Sequence, residues 1–262
     1  MMSKDVLRIF MNGCCGYMGR VINDMCKKDP SVKIVAGGDI SSNQEGLDFP
    51  VFANLDDVDV DFDVIIDFSN VACVTKLIDM AVRLNKPIVC CTTGLGDQEL
   101  KAISDAKEKI AVFKSANMSL GVNVLVSLAK KACDLLYPGY DIEIIEAHHN
   151  RKLDAPSGTA LMIADAIKDE IKSTKDSDMN YVFDRSSVRQ KREETDIGIS
   201  AIRGGNIVGE HEVMFIGGEE IVKISHSAQT RDVFARGAIA AAKYLYNKEP
   251  GMYDMTDMIS GN

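Results

Sequence analysis

The sequence has no cationic excess: 30 Lys and Arg stand against 39 Asp and Glu, a net charge of -9 at pH 7. That excludes a general nucleic-acid-binding surface, and any anionic ligand must be gripped by a local group of cations instead of the overall field. Long apolar runs are missing too. No stretch approaches the ~18 consecutive apolar residues that span a bilayer, and no signal-peptide core follows the first residues, so the expected setting is cytoplasmic with no membrane partner. Zinc-type CxxC pairs are absent. The seven cysteines are an odd number that includes the adjacent pairs Cys14-Cys15 and Cys90-Cys91; they read as reduced thiols, mostly small buried hydrophobes. Repeats and low-complexity segments do not occur. What remains, 46% hydrophobic and 26% charged over 262 residues, is globular and fills one domain plus a smaller partner.

The first informative stretch is Gly13-Cys14-Cys15-Gly16-Tyr17-Met18-Gly19. It joins an apolar run, Leu7 to Met11, to an amphipathic segment, Tyr17 to Lys28, where a first strand would turn into a first helix. A tight glycine turn there lets backbone approach a dinucleotide's pyrophosphate, and the helix N-terminus offers N–H donors and partial positive charge. The spacing is G-x-x-G-x-x-G, so a plain glycine-rich turn is the alternative. The next apolar run, Val32 to Ala36, ends in Gly37-Gly38-Asp39. A carboxylate 20 residues beyond Gly19 suits the adenosine ribose hydroxyls and favours the cofactor reading. Ile40 follows, and no Lys or Arg lies between Asp39 and Phe52, an arrangement without a partner for a 2′-phosphate that favours NADH over NADPH.

Ser41 to Pro50 reads as a loop, and the acids of Asp56 to Asp63 as a solvated surface. Val64 to Phe68 is a buried-type strand, Ser69-Asn70 a cap for a helix from Val71 to Asn85, and Pro87 to Cys91 a further strand. It ends in Thr92-Thr93-Gly94, which either touches the nicotinamide ribose or is a plain turn. A helix from Asp97 to Lys109, a strand from Ile110 to Phe113 and the loop Ser115-Ala116-Asn117-Met118-Ser119 complete an alternation that implies a doubly wound parallel sheet. The pattern then changes. A helix over Val122 to Leu136 and a one-face-exposed strand over Asp141 to His148 open a second, mixed domain. Ile207 to Phe215 and Glu219 to His226, joined by Ile216-Gly217-Gly218, form a hairpin and, with Ile199 to Arg203, suggest an antiparallel sheet. Ser173 to Asp196 is polar and reads as a loop. Val233 to Tyr246, alanine-rich, is read as the last helix and should pack into a core.

The densest chemistry lies in Glu146-Ala147-His148-His149-Asn150-Arg151-Lys152-Leu153-Asp154-Ala155-Pro156-Ser157-Gly158-Thr159-Ala160. Two histidines, an arginine and a lysine make a positive patch in an acidic chain. Proline at a helix entrance, then Ser-Gly-Thr, supplies N–H donors and hydroxyls for a carboxylate or phosphate. His148 and His149, neighbours near a strand end, point to opposite faces. One of them faces a reacting carbon, and a metal pair is not expected.

That string resembles the signature of the 4-hydroxy-tetrahydrodipicolinate reductase (dihydrodipicolinate reductase) family. The glycine loop with Met18, Cys91-Thr92-Thr93-Gly94, Ala116-Asn117-Met118-Ser119-Leu120-Gly121-Val122-Asn123 and Arg203-Gly204-Gly205-Asn206-Ile207-Val208-Gly209-Glu210-His211 agree in order and spacing. The resemblance implies an α/β Rossmann-type doubly wound sheet with an inserted α+β substrate and oligomerisation domain, residues 1–119 plus 229–262 binding dinucleotide and 120–228 forming the insert. It implies cofactor contacts at Gly13, Cys14, Cys15, Gly16, Tyr17, Met18, Asp39, Cys91, Thr92, Thr93, Ser115, Ala116, Asn117 and Met118, and substrate contacts at His149, Lys152, Ser157, Gly158 and Thr159.

The resemblance further implies that His148 donates a proton, with Lys152 a second candidate, and that NADH or NADPH reduces a cyclic dicarboxylate at ring C4 after water is lost. Hydride would arrive at the electron-poor end of C=C–C=N, and the resulting enamine needs a proton, for which histidine suits neutral pH. Homotetramers are implied, in the lysine and diaminopimelate route. Tyr17 and Ile40 stand where the family often has arginine, reinforcing the NADH preference. Cys91, where glycine is usual, is expected to narrow the pocket, and Met118, where phenylalanine is common, to pack on the nicotinamide side. The competing readings are another two-domain amino-acid or sugar dehydrogenase and a redox-sensing NAD-binding regulator, neither of which would carry the His-His-to-Thr string.

Overall fold

The computed structural model describes residues 6–41 and 43–261, so Ser42 of the expected 41–50 loop lies outside the described residues. The chain forms two units, one of residues 1–119 and 232–262 and one of 120–231.

In the first unit, β1 (Leu7–Asn12), α1 (Tyr17–Cys26), β2 (Val32–Gly38), β3 (Val51–Phe52), β4 (Val64–Asp67), α2 (Val71–Leu84), β5 (Ile88–Cys90), α3 (Asp97–Ala106) and β6 (Ala111–Lys114) follow one another. The strands read as apolar runs because both sheet faces are covered, and their side chains alternate between two cores. Ile9, Met11, Val64 and Ile66 enter one core, which includes Ile22 of α1. Phe10 and Ile65 enter the other, with Val74 and Leu77 of α2 and Ile103 of α3. Asn70 caps α2 by accepting from Ala72 N–H, and Asn85 ends it in the left-handed region at φ 51.

The second unit contains α4 (Leu120–Leu136), β7 (Asp141–His148), α5 (Gly158–Lys175), β8 (Asn180–Val182), β9 (Asp196–Arg203), β10 (Gly209–Ile216) and β11 (Ile221–Ala228). The chain then returns to the first unit as α6 (Asp232–Leu245), β12 (Gly251–Tyr253) and α7 (Met255–Ser260). Ala235, Ala238, Ala241 and Ala242 of α6 are fully buried in the core that holds Ile9. Val233 to Tyr246 is therefore not the last helix, since β12 and α7 come after it.

The first sheet is parallel throughout, in the order β12-β6-β5-β4-β1-β2-β3. The chain leaves β1 in one direction to β2 and β3, then restarts at β4 and runs the other way. That switch point opens a crevice at the carboxyl ends of β1 and β4, where open α/β sheets bind ligands.

The second sheet, order β11-β10-β7-β9-β8, corrects the antiparallel expectation. β10 runs antiparallel to β7 and β11, but β7 pairs β9 in parallel, and so does β8. The long α5 connection between β7 and β9 permits parallel pairing, which a hairpin cannot. Ser173 to Asp196 is not one loop either. Its start belongs to α5, it contains β8, and Arg185 and Arg192 pin the remainder to Asp141, Glu143 and Asp196.

One face of this sheet is packed by α4 and α5 through Ile142 and Ile144, Ile197 and Ile199, and Val213 and Phe215. Continuing with period two along those strands, the same face reaches Glu146 and His148 on β7, Arg203 on β9 and His211 and Gly209 on β10. The apolar layer gives way there to a buried polar cluster.

Candidate active site

At the first unit's switch point the turn after β1 needs its glycines. Gly13 has φ +79, and a Cβ on it would lie 2.3 Å from the carbonyl oxygen of Phe68. On Gly19 a Cβ would lie 2.3 Å from the carbonyl oxygen of Gly13, so α1 can pack against the turn only without a side chain. Gly16 is the N-cap of α1 and has no side-chain cap, which leaves helix N–H groups available to an anion. Asp39 ends the neighbouring strand and receives Cys15 N–H on Oδ2 and Ser41 N–H on Oδ1, each at 2.9 Å. A pocket of about 280 Å³ adjoins these groups, lined among others by Gly13, Gly16, Asp39, Ile40, Phe68 and Ser69. A backbone cradle, a carboxylate at the end of the second strand and an apolar slot fit an adenine dinucleotide.

Cys14 turns inward. It is buried, its thiol is pushed up to about 12 chiefly by desolvation, and its Sγ faces Gly38 O. Cys15 serves the site through its N–H, and Tyr17 and Met18 begin α1, Tyr17 exposed. The Cys14, Cys15 and Asp39 ligand atoms lie within 4.8 Å of one another. Burial disfavours the Cys14 thiolate, and both Asp39 oxygens accept N–H groups, so the trio is built for hydrogen bonding.

At the end of β5, Thr92 donates its hydroxyl to Asp67 Oδ2 at 2.7 Å and accepts Ser69 N–H, while Thr93 is exposed. Cys91 does not line this pocket. It belongs to the core cluster of Val89 and Phe113, and burial drives its thiol well above the ordinary range. After β6, Ser115 donates to Asn117 O, Asn117 accepts Ser119 N–H and Ala116 is exposed. Met118 also departs from expectation. Its side chain is buried in the same core, and its carbonyl fits against Gly237 of α6, where a Cβ would be 1.6 Å away.

Sequence reasoning missed Asp67. This fully buried carboxylate accepts from Asn12 Nδ2, Ser69 Oγ and Thr92 Oγ1, tying the ends of β1, β4 and β5 together. An acid between the apolar Val64-Ile65-Ile66 and Phe68 was the available signal.

In the second unit, Glu146 is the hub. Its Oε2 meets His148 Nδ1 at 2.6 Å and Arg203 Nη1 at 2.8 Å, and its Oε1 meets Arg203 Nη2 at 2.7 Å and Ser157 N–H at 3.0 Å. Burial works to raise the Glu146 pKa, but Arg203, His148 and Ser157 outweigh it and hold the carboxyl below its ordinary value. His211 stacks edge-on to His148 with ring centroids 5.3 Å apart, and desolvation lowers its pKa to about 4.

Ser157 is the N-cap of α5, not a ligand-facing group. It is 2% exposed, its N–H is given to Glu146, and its Oγ accepts from Ala160 N–H and contacts His211 Nε2. Pro156 therefore precedes the cap and lies outside the helix. Gly158 is exposed at the helix start with nothing within 4 Å of a would-be Cβ, and Thr159 follows half-buried.

The turn after β7 is braced to the next loop by Gly204 N–H to His148 O and Arg151 to Asn206. Lys152 pairs with Asp154 at 2.8 Å. Desolvation lowers the His149 pKa, and Arg151, Arg231, His148 and Lys152 lower it further, so this corner is cationic. Arg231 was not singled out from the sequence, because it lies far along the chain without a motif.

Family models of dihydrodipicolinate reductase match the chain twice, the N-terminal model over residues 7–118 and the C-terminal model over 121–259. The chain belongs to the dihydrodipicolinate reductase family. It is therefore an oxidoreductase of the diaminopimelate and lysine route, with a nucleotide-binding Rossmann unit that uses NAD(P)H. The 4-hydroxy-tetrahydrodipicolinate reductase of Caldanaerobacter subterraneus subsp. tengcongensis is 47% identical, over 97% of this chain and 98% of that one. That of Clostridium tetani is 46% identical over the same shares. Among solved structures, a dipicolinate-bound dihydrodipicolinate reductase from Paenisporosarcina sp. TG-14 covers 95% of this chain and 97% of its own, with TM-score 0.77 and 23% identity. A myo-inositol dehydrogenase from Lactobacillus casei, at 16% identity and TM-score 0.58, covers 97% of this chain and 90% of its own and shares the fold alone.

Proposed function

We propose that this chain reduces 4-hydroxy-tetrahydrodipicolinate to tetrahydrodipicolinate with loss of water, using NADH in preference to NADPH. The observation that carries the reading is the second unit's cluster: a histidine held by a buried carboxylate, next to a helix start and a cationic corner of Arg151, Lys152 and Arg231. That combination suits a dicarboxylate that must also receive a proton.

The nucleotide supplies hydride. The turn from Gly13 to Met18 and Asp39 would hold its pyrophosphate and ribose, and the Thr92-Thr93 and Ser115 to Asn117 loops would orient its nicotinamide end. His149, Lys152, Gly158 and Thr159 bind the two carboxylates, so that binding energy aligns the ring. His148 protonates the enamine, and Lys152 reinforces the positive field. Residues 1–119 and 232–262 act as the nucleotide domain and 120–231 as the substrate domain, so the chain returns three residues later than the expected 229. The sheet face opposite α4 and α5, with Ile202 and Ile221 exposed, is the face through which four copies associate. Among the described residues no helix is long and apolar enough to cross a membrane, and we take the setting to be the cytoplasm.

Purified protein is expected to oxidise NADH when freshly made 4-hydroxy-tetrahydrodipicolinate is added, with dipicolinate competing against that substrate. His148→Gln should cut kcat by ~100-fold or more, the range of a lost general acid, while NADH affinity stays within twofold or so. No substrate-dependent oxidation with either cofactor would sink the reading.

A further inference from the structure

We propose that Glu146, clamped by Arg203, is the positioning residue of the proton donor: it fixes His148 with a hydrogen on Nδ1, makes Nε2 the atom that gives up the proton, and ties that ring to the start of α5. This rests on the reading of His148 given above.

The hydrogen-bond inventory forces the assignment. Arg203 Nη1 and Nη2 and the Ser157 N–H can only donate, and an ionised carboxylate can only accept, so the fourth partner, His148 Nδ1, must donate to Oε2. Nε2 is left on the other edge of the ring. A Cβ built on Gly209 would lie 3.1 Å from it, so glycine at that position keeps the approach to Nε2 open. In the step itself, imidazolium Nε2–H passes its proton to the enamine formed by hydride addition, and neutral His148 remains with Nδ1–H still on Glu146. No tautomer change or ring flip is needed between turnovers.

The groups facing His148 come from every neighbouring strand. Glu146 lies on β7, Arg203 on β9 and His211, whose register partner on β11 is His226, on β10, with His149, Lys152 and Asp154 in the following turn. His211 and His226 are both held neutral by burial, so neither competes for the Glu146 charge. Arg203 offsets part of that charge. The carboxylate therefore orients the ring, and the guanidinium also reaches Asp154 O at 2.6 Å, which carries the constraint into the lysine-bearing turn.

Glu146→Gln tests this. Arg203 will claim the amide oxygen, and the amide NH2 will face Nδ1, which must then accept. Nitrogen-15 histidine spectra, with His148 assigned by difference from His148→Gln, should show hydrogen on Nδ1 in the wild type and on Nε2 in the variant. We expect kcat to fall on the order of 100-fold with the substrate KM within about threefold, and the basic limb of the kcat profile to move to lower pH. NADH affinity should not change.

Because Glu146→Gln leaves Arg203 without its counter-ion, Gly209→Ala provides a second variant with Glu146 intact. It should lower kcat at least fivefold while the Nδ1–H signal persists. Wild-type turnover in His148→Gln would overturn the donor reading beneath. A slow His148→Gln alongside a Glu146→Gln with wild-type kcat and an unmoved pH limb would overturn this proposal alone, as would a wild-type kcat in Gly209→Ala.

Discussion

On the proposed reading, the preference for NADH rests on Asp39 and Ile40. Asp39 is anchored by Cys15 N–H and Ser41 N–H, one on each oxygen, which aims its remaining lone pairs outward. Ile40, beside it, is 88% exposed and offers no charge. Arg20, the cation of α1 that reaches this loop, is committed to the carbonyls of Cys15, Asn43 and Glu45. A ribose hydroxyl on the carboxylate is a charge-assisted hydrogen bond worth about 1.5–3 kcal/mol. A 2′-phosphate would instead bring close to two negative charges to within ~5 Å of it, and at an effective dielectric of about 40 each costs about 1.7 kcal/mol. Salt with a screening length of about 8 Å roughly halves the repulsion to about 1.8 kcal/mol, and with the hydroxyl bond lost as well NADH should win by about 3–5 kcal/mol, or roughly 150- to 5,000-fold in kcat/KM.

Asp39→Ala should lower kcat/KM for NADH by about 10- to 100-fold through loss of that hydrogen bond and raise it for NADPH, and Asp39→Ala/Ile40→Arg should invert the preference. Asp39→Asn, which still offers an acceptor to one of the two anchoring N–H groups, controls for collapse of the turn. Initial rates of loss of nicotinamide absorbance at saturating substrate read all four proteins. Equal or better use of NADPH by the wild type, or an unchanged ratio in Asp39→Ala, would refute the reasoning.

The glycine turn should be equally sensitive: Gly13→Ala forces a Cβ onto the Phe68 carbonyl at φ +79, and a strained residue of this kind costs about 1–3 kcal/mol, so NADH titration should show at least tenfold weaker binding and calorimetry a lower Tm. Wild-type affinity would show that the turn has slack. His211 makes stability depend on pH. Its folded pKa of about 4 lies below the ordinary histidine value, so the unfolded chain binds more protons between the two, and its contribution is complete above about pH 6.5 and lost as pH falls toward 4. At about 1.4 kcal/mol per unit, up to about 3 kcal/mol is at stake, and urea unfolding at pH 7 and pH 5 should show a smaller drop for His211→Gln than for the wild type; equal drops would remove His211 from the account. In light scattering the protein should run as a tetramer, and Ile202→Glu should reduce its mass, whereas a wild-type monomer would contradict the proposed sheet-to-sheet association.

What the sequence made legible were features with a local cause. The glycine turn, the Asn70 cap, the apolar strands and the acid after β2 each follow from neighbours within a few residues. What it hid depends on distant partners. β12 is three residues long and exists because it pairs with β6. β3 and β8 likewise borrow their order from β2 and β9. The family resemblance placed Cys91 and Met118 against the ligand, but a side chain's face is set by strand parity and by the packing of α6, which no local motif announces.

The two buried carboxylates show why the chemistry of such a site is harder to see than its loops. Asp67 and Glu146 each sit near the carboxyl end of a strand inside its sheet, each is fully buried, and each has its acceptors filled by groups from the turns that carry the proposed binding residues. They differ in one respect. Glu146 has the Arg203 guanidinium as counter-charge, whereas Asp67 accepts from an amide, two hydroxyls and the Cys90 thiol. An uncompensated buried carboxylate is tolerable only while every donor stays in place. Asp67 therefore makes Thr92, Ser69 and Asn12 a single cooperative unit, in which loss of any one member weakens the others' alignment. Glu146, with part of its charge offset by Arg203, can lend one acceptor to the histidine proposed as proton donor. The sequence marks both positions in the same way, as an acid within an apolar strand, and only the partner on a distant strand separates a rigid tie from a group suited to managing a proton.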